Sequence, residues 1–477
     1  MSSTAFLNTE KAAREFLSFG DDPYSIKDLF NPELGSLLPS GILELKDLHN
    51  YALINLAEIK GRSERNDLVL MHRNLEKILI EGRIPEGVQP QTLVLKLIQE
   101  FLAKKKFKIA RQYLAALDYM NEKILKKDQQ VCLLHVVFYQ GLLVSSVDKF
   151  QERKRVLVIQ RAVSNEDNLF IFSVPATTVI REFESRYLDT PGREYTDTRP
   201  IFITGRNLGQ KLLLSLETGD DFETRVKIVL ILSNMYKCIG VLLYDKIGNI
   251  EILSKVSKIQ RRRVGLLEKC LDGLDVKKHR SKVEELSLQL GEIYMELLEL
   301  KQKKFERTAD NLDPHLVKKM VNLCLQGIQH CKSCILSLPS IDSHPHMNKG
   351  DMCILAQILQ IESQVGPGAL PVRPLKIPER FPPGCVGEGI KALFLIGRFY
   401  NKLFTPNRND QPLFTKLAIL HYQLIEAYCR RNPEDMFEMR YEYNQSINAA
   451  DLLLRQIKMQ EKAEKEESKT STLKSLD

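Results

Sequence analysis

The chain has 477 residues, 43% hydrophobic and 27% charged, which excludes a low-complexity or disordered polypeptide. No window of about eighteen residues is apolar throughout, so the sequence predicts no transmembrane helix and no membrane insertion. A net charge of +8, from 69 Lys+Arg against 61 Asp+Glu, permits an acidic partner but is mild for this length.

In chain order, the opening MSSTAFLNTEKAAREF lacks an apolar signal core and carries Glu10 and Glu15, unlike a mitochondrial presequence. Nine cysteines, an odd number, fit reduced thiols, so a cytoplasmic protein is expected. Residues 1–41 read as a loosely ordered lead-in with turns at Gly20–Pro23 and Leu38–Gly41. Helices are predicted over 42–59, 67–80, 91–103, 107–123 and 129–148. Phe107, Ala110, Leu114 and Leu117 of the fourth share one face at three- and four-residue steps. These make an N-terminal helical subdomain over 42–148. Residues 149–218 read as an irregular insertion. Its runs 155–160, 169–174 and 200–204 are β-branched and aromatic, and predict short strands.

A C-terminal helical subdomain follows over 219–457. Its predicted helices span 222–245, 251–270, 281–307, 315–338, 387–404, 413–430 and 433–459, with a short one at 349–364 inside a Pro/Gly-rich loop. Asp313 and Pro314 suit the start of the 315–338 helix. From 458 onward apolar residues nearly vanish, so the sequence predicts a disordered tail to 477. The whole reads as all-α: TPR-like antiparallel hairpins stacked into a curved α-solenoid. Each pair buries an apolar stripe its own partner cannot cover. At about 25 cal/mol per Å² such stacking contributes several kcal/mol per pair. A concave face of this kind suits a segment of another protein, not a small-molecule substrate.

Motifs that would carry chemistry are weak. Cys324, Cys331 and Cys334 lie near His330, His344 and His346, and Cys331–Cys334 has C-x-x-C spacing. The cysteines share a helix with Met320, Leu323, Ile328, Ile335 and Leu338, and no second C-x-x-C exists, so they read as small buried hydrophobes and no metal is expected. Gly384, Gly387 and Gly389 spell G-x-x-G-x-G after two prolines, without the strand a dinucleotide loop needs, and read as a turn opening a helix. His421 lies on an apolar helix face and reads as a core histidine. No coherent acid/base pair, H-E-x-x-H or G-x-S-x-G appears, so neither catalysis nor a cofactor is expected. The basic runs Lys104–Lys106 and Arg261–Arg263 lack aromatic interleaving beyond Phe107. They read as solvated helix faces or ends, with no nucleic-acid partner.

Several segments resemble the KIF-binding protein family. His421-Tyr422, Tyr428-Cys429 and Asn432-Pro433-Glu434 match the family's closing helices, and Arg398, Tyr400 and Lys402 match an Arg-x-Tyr-x-Lys signature. Asp313–Cys324, Arg261–Asp275, Asn55–Ile59 and Phe107–Asp118 are similar to other family helices. The resemblance covers about 45–125 and 220–456. The further N-terminal helical block of the family is largely missing, and 150–215 do not match its corresponding stretch. The resemblance implies a protein that grips a kinesin motor domain, blocks its attachment to microtubules and so restrains organelle and vesicle transport. It also implies partner contacts on the concave N-terminal side, with Asn55, Glu58, Lys96 and Gln99 as candidates. Residues 45–125 carry 14 Lys+Arg against 10 Asp+Glu, so binding a basic motor surface requires these cations to lie off that face. A generic scaffold clamping a peptide carboxylate is the rival reading.

Overall fold

The computed structural model describes residues 65–84, 90–125, 133–155, 172, 174–188, 190–216, 221–244, 250–276, 278–307, 314–338, 349–364, 381–382, 384–403, 411–435 and 439–474. Among them are fourteen α-helices and no strand, so the all-α expectation holds. The chain divides into two compact units, residues 1–242 and 243–477.

The first unit contains α1 (Arg65–Glu81), α2 (Pro90–Ala103), α3 (Phe107–Tyr119), α4 (Leu133–Arg155), α5 (Val174–Glu184), α6 (Tyr195–Ser215) and all but the last two residues of α7 (Phe222–Tyr244). A five-residue π stretch, Met120–Ile124, extends α3. The predicted helix at 42–59 lies outside the described residues. α2 and α3 pack as a hairpin across Lys104–Lys106, where Lys105 takes a left-handed φ of 57°. Their core is aromatic. Phe101 stacks on Tyr113 at 5.5 Å, Tyr113 meets Phe172 edge-on, and the Tyr113 hydroxyl lies 3.0 Å from His72 Nδ1 on α1.

The stretch 149–218 departs from expectation. Pro200–Thr204 lies inside α6, and α4 continues to Arg155. Ile201 and Phe202 are buried there, and Gly205 and Gly209 let α6 approach Tyr139 and Val136 of α4 and Met235 and Leu232 of α7. Of the run 169–174 only Phe172 and Val174 are described, and Phe172 is a buried plug between α1 and α3. These residues are β-branched and aromatic because they are buried, not because they pair as strands. α7 has the length and apolar content to cross a bilayer, contrary to the sequence reading, but 67% of its apolar window is buried inside the protein. It serves as a core helix, and the unit boundary falls near its end, not at 218.

The second unit contains α8 (Ile250–Asp272), α9 (Arg280–Arg307), α10 (Pro314–Ser337), α11 (Lys349–Gln364), α12 (Val386–Lys402), α13 (Gln411–Arg431) and α14 (Arg440–Lys474). Most consecutive helices pack side by side, and α12 touches α9, α10, α13 and α14. α12 is apolar on nearly every side, as a helix surrounded by others must be. Gly384, with φ +85°, makes the turn before it, and Gly389 gives Phe381 room to lie flat on its first turn. Two boundaries differ from expectation. Residues 433–435 form a turn before α14, and the α14 backbone stays helical to Lys474 where a disordered tail was expected. Glu, Lys, Ala and Gln are strong helix formers, and Glu461 and Lys465 stand at supportive i,i+4 spacing, so the segment needs no apolar stripe to be helical.

A Cβ on Gly327 of α10 would sit 2.1 Å from the Phe399 ring of α12. Gly327→Ala is therefore expected to destabilise by about 1–3 kcal/mol through overpacking. Gly265→Ala, on an exposed turn of α8 with nothing within 4 Å, is expected to stabilise by about 0.5–1 kcal/mol. Thermal unfolding of both variants checks the pair, which should shift Tm in opposite directions.

Candidate partner-binding surface

The surface that the sequence singles out lies on α2. Phe101, Leu97, Ile98 and Val94 turn inward and are fully buried. Lys96 and Gln99, three residues apart, then fall on the opposite face, and both are exposed. Ala103 continues the same stripe one turn on. Neither Lys96 nor Gln99 makes a side-chain hydrogen bond or ion pair among the described residues, so both heads are free to meet another molecule. Asn55 and Glu58 lie outside the described residues. The cations at the end of this hairpin are partly neutralised: Lys104 pairs with Glu100 at 2.7 Å, and Lys105 with Asp148 of α4 at 2.8 Å. Lys104–Lys106 is thus a helix end, as its sequence suggests.

Elsewhere several groups of converging ionisable side chains are largely buried ties between helices. In the first unit Asp118 of α3 accepts from Tyr187 and lies 3.0 Å from His135 Nε2 of α4. Asp118 and His135 are almost fully buried. Arg111 of α3 meets Glu184 of α5 at 2.5 Å. In the second unit the buried Lys332 of α10 donates to Glu362 of α11 at 2.7 Å, and the Tyr400 hydroxyl of α12 donates to the same oxygen at 2.7 Å. Three helices are pinned at one carboxylate. Sequence reasoning missed this, because Lys332 and Glu362 stand thirty positions apart on separate helices.

The metal candidates do not converge. Cys324, Cys331 and Cys334 are buried in α10, and burial pushes all three thiols up, Cys324 to about 12 and the others further. Neutral thiols in an apolar wall pack as hydrophobes. His330 stacks on Tyr294 at 5.5 Å beside Glu268, while His344 and His346 lie outside the described residues. No group of three or more His, Cys, Asp or Glu fits a metal among the described residues.

The resemblance-bearing residues of α12 and α13 make contacts that hold the fold together. Arg398 donates to Glu299 of α9 at 2.5 Å, Tyr400 to Glu362, and Lys402 to Gln302 of α9 at 2.7 Å, so the Arg-x-Tyr-x-Lys signature ties α12 to two neighbours. Tyr422 packs on Gly397. The Tyr428 hydroxyl donates to Asp435, and the Asn432 amide donates to the Tyr428 carbonyl, closing the end of α13.

With this geometry in place, comparison with known proteins is informative. A family model described as "KIF-1 binding protein C terminal" matches residues 145–460. The chain belongs to this family. The match begins inside α4, so 149–218 is family sequence after all, whereas α1 to α3 and the Lys96/Gln99 surface precede it. KIF-binding protein of Danio rerio is 21% identical over 260 residues, 54% of this chain and 35% of the relative. That of Gallus gallus is 20% identical over 260 residues, 54% and 37%. That of Homo sapiens is 20% identical over 263 residues, 54% and 35%. The alignments thus span about a third of those relatives' length. No solved structure matches.

His421 supplies a pH prediction. It is fully buried, its Nδ1 lies 2.8 Å from the Leu417 carbonyl, and its Nε2 has no partner among the described residues. Burial depresses its pKa from 6.5 to about 4. Between those values the unfolded chain binds a proton that the folded chain refuses. Stability is therefore lost as pH falls from about 6.5 to about 4, by about 3 kcal/mol in all. Urea denaturation of the wild type and His421→Gln at about pH 7 and about pH 4.5 tests this. The variant should lose less stability on acidification, whatever its stability at neutral pH.

Proposed function

We propose that this chain is a non-catalytic kinesin-binding regulator that grips the motor domain and blocks its attachment to microtubules. It would thereby restrain organelle and vesicle transport, acting in the cytoplasm in association with the cytoskeleton. The observation that carries the reading is the family match over residues 145–460, together with relatives named for binding KIF. The all-helical architecture supports it, since packed helices offer rigid polar faces suited to another polypeptide. The buried ionisable clusters support a non-catalytic role. His135–Asp118–Tyr187 and Lys332–Glu362–Tyr400 tie neighbouring segments together.

The contact surface we favour includes Asn55, Glu58, Lys96 and Gln99. Support for it comes from the exposure and free heads of Lys96 and Gln99. Lys96 also means that the surface is not purely acidic, so affinity for a basic motor face would rest on shape and on Glu58 more than on net charge.

Adding purified protein to kinesin motor domains and microtubules should lower the motor fraction that co-sediments. Lys96→Ala/Gln99→Ala should retain the fold by circular dichroism and weaken the effect several-fold, about 1 kcal/mol. Unchanged co-sedimentation at saturating wild-type protein would refute the function. An unaffected double variant would refute the surface alone.

A further inference from the structure

In the second unit α9 and α12 run parallel, and their side-chain pairs fix the register. Glu292 pairs with Lys391, Glu299 with Arg398 at 2.5 Å, and Gln302 accepts from Lys402 at 2.7 Å. From the first pair to the second both helices advance by two turns. On the buried side of the same seam Gly291 faces Leu395, whose Cδ1 is 3.8 Å from where a Cβ on the glycine would stand. Two turns earlier that contact falls on Glu284 of α9 and Glu388 of α12. The cation-to-carboxylate ladder thus ends, at the N-terminal side of the seam, with one carboxyl facing another.

Glu284 is 7% exposed, and its carboxyl makes no hydrogen bond or ion pair among the described residues. Glu388 is half-buried. The nearby cations are engaged: Lys282 holds Glu285 at 3.2 Å, and Lys391 holds Glu292. The other titratable groups that feel Glu284 are thiols, Cys334 of α10 and Cys385 just before α12, and burial pushes both up. The N-terminal ends of two helices favour negative charge here. Burial and like charge outweigh them: burial first, then Glu388 and Glu285, raise the Glu284 carboxyl from 4.5 to about 7.

We infer that Glu284 is a proton-operated clasp. With its carboxyl neutral, the first turns of α9 and α12 close on each other; with it charged, repulsion from Glu388 loosens them. Between 4.5 and about 7 the folded chain holds a proton that the unfolded chain has released. The clasp's contribution to stability is therefore full below about 4.5 and lost as pH rises through about 7. The direction is opposite to that of His421, so the two groups offset one another in the wild type at mildly acid pH. Ordinary carboxylates and lysines keep their charge near pH 7, so Glu284 responds where they do not. This device lies inside the second unit and does not rest on the motor-binding reading.

Thermal unfolding and amide hydrogen exchange of the full chain, followed from about pH 5.5 to about pH 8, test this with Glu284→Gln and Glu388→Gln. Relative to Glu284→Gln, the wild type should lose about 2–5 °C of Tm across that range. At about pH 8 the amides of residues 280–290 and 386–392 should exchange about threefold or more faster in the wild type than in Glu284→Gln, and at about pH 5.5 the difference should vanish. Glu388→Gln keeps the buried acid and removes the charge facing it. The loss of Tm should then level off about half a pH unit lower or more. This second variant leaves the buried position intact, so it tests the pair even where Glu284→Gln folds poorly. Parallel Tm profiles for the wild type and Glu284→Gln, equal exchange in those turns at about pH 8, or a Glu388→Gln profile identical to the wild type would each overturn the assignment.

Discussion

The second unit depends on α12 being enclosed on all sides. A helix contacted by α9, α10, α13 and α14 keeps few polar residues, and Arg398, Tyr400 and Lys402 among them reach polar groups on neighbouring helices. Enclosure also demands close axes. Gly327 yields to Phe399, Gly397 to Tyr422 and Gly389 to Phe381, each an aromatic ring laid where a Cβ would stand. Interiors are packed as densely as organic crystals, so rings of this size fit only if the facing helix gives up its side chain.

This explains what in the chain is recognisable at about one-fifth identity. The residues that carry the resemblance are the ones α12 and α13 need. Arg398 and Tyr400 reach the carboxylates of Glu299 and Glu362, Lys402 reaches the Gln302 amide, Tyr422 fills the Gly397 notch, and Tyr428 and Asn432 close the chain after α13. Family membership is therefore written in packing constraints, and partner contacts need not follow the same pattern. The exposed heads of α2 lie before the family match begins.

Helices were legible where one face is apolar and the other wet, as in α10, because periodicity reports a single buried face. It failed where burial was more complete. Ile201, Phe202 and Phe172 are buried against neighbouring helices, and such residues look like strand sequence. The end of α14 failed in the opposite sense: its helicity comes from local propensity, to which a search for apolar stripes is blind. His421 was read correctly because its neighbours in sequence are its neighbours on the helix. Lys332 was not, because a buried lysine is intelligible only with the distant Glu362 and Tyr400 in view. Charge runs are ambiguous for a related reason. A helix sends consecutive residues in directions 100° apart, so three arginines in a row meet three environments.

That last point bears on the net charge of +8. Surplus cations spread evenly over this surface would do little at physiological ionic strength, where exposed charges more than about 8 Å apart are largely screened. The second unit instead neutralises Lys391, Arg398 and the buried Arg263 one by one, through cross-helix pairs with Glu292, Glu299 and Glu296 of α9.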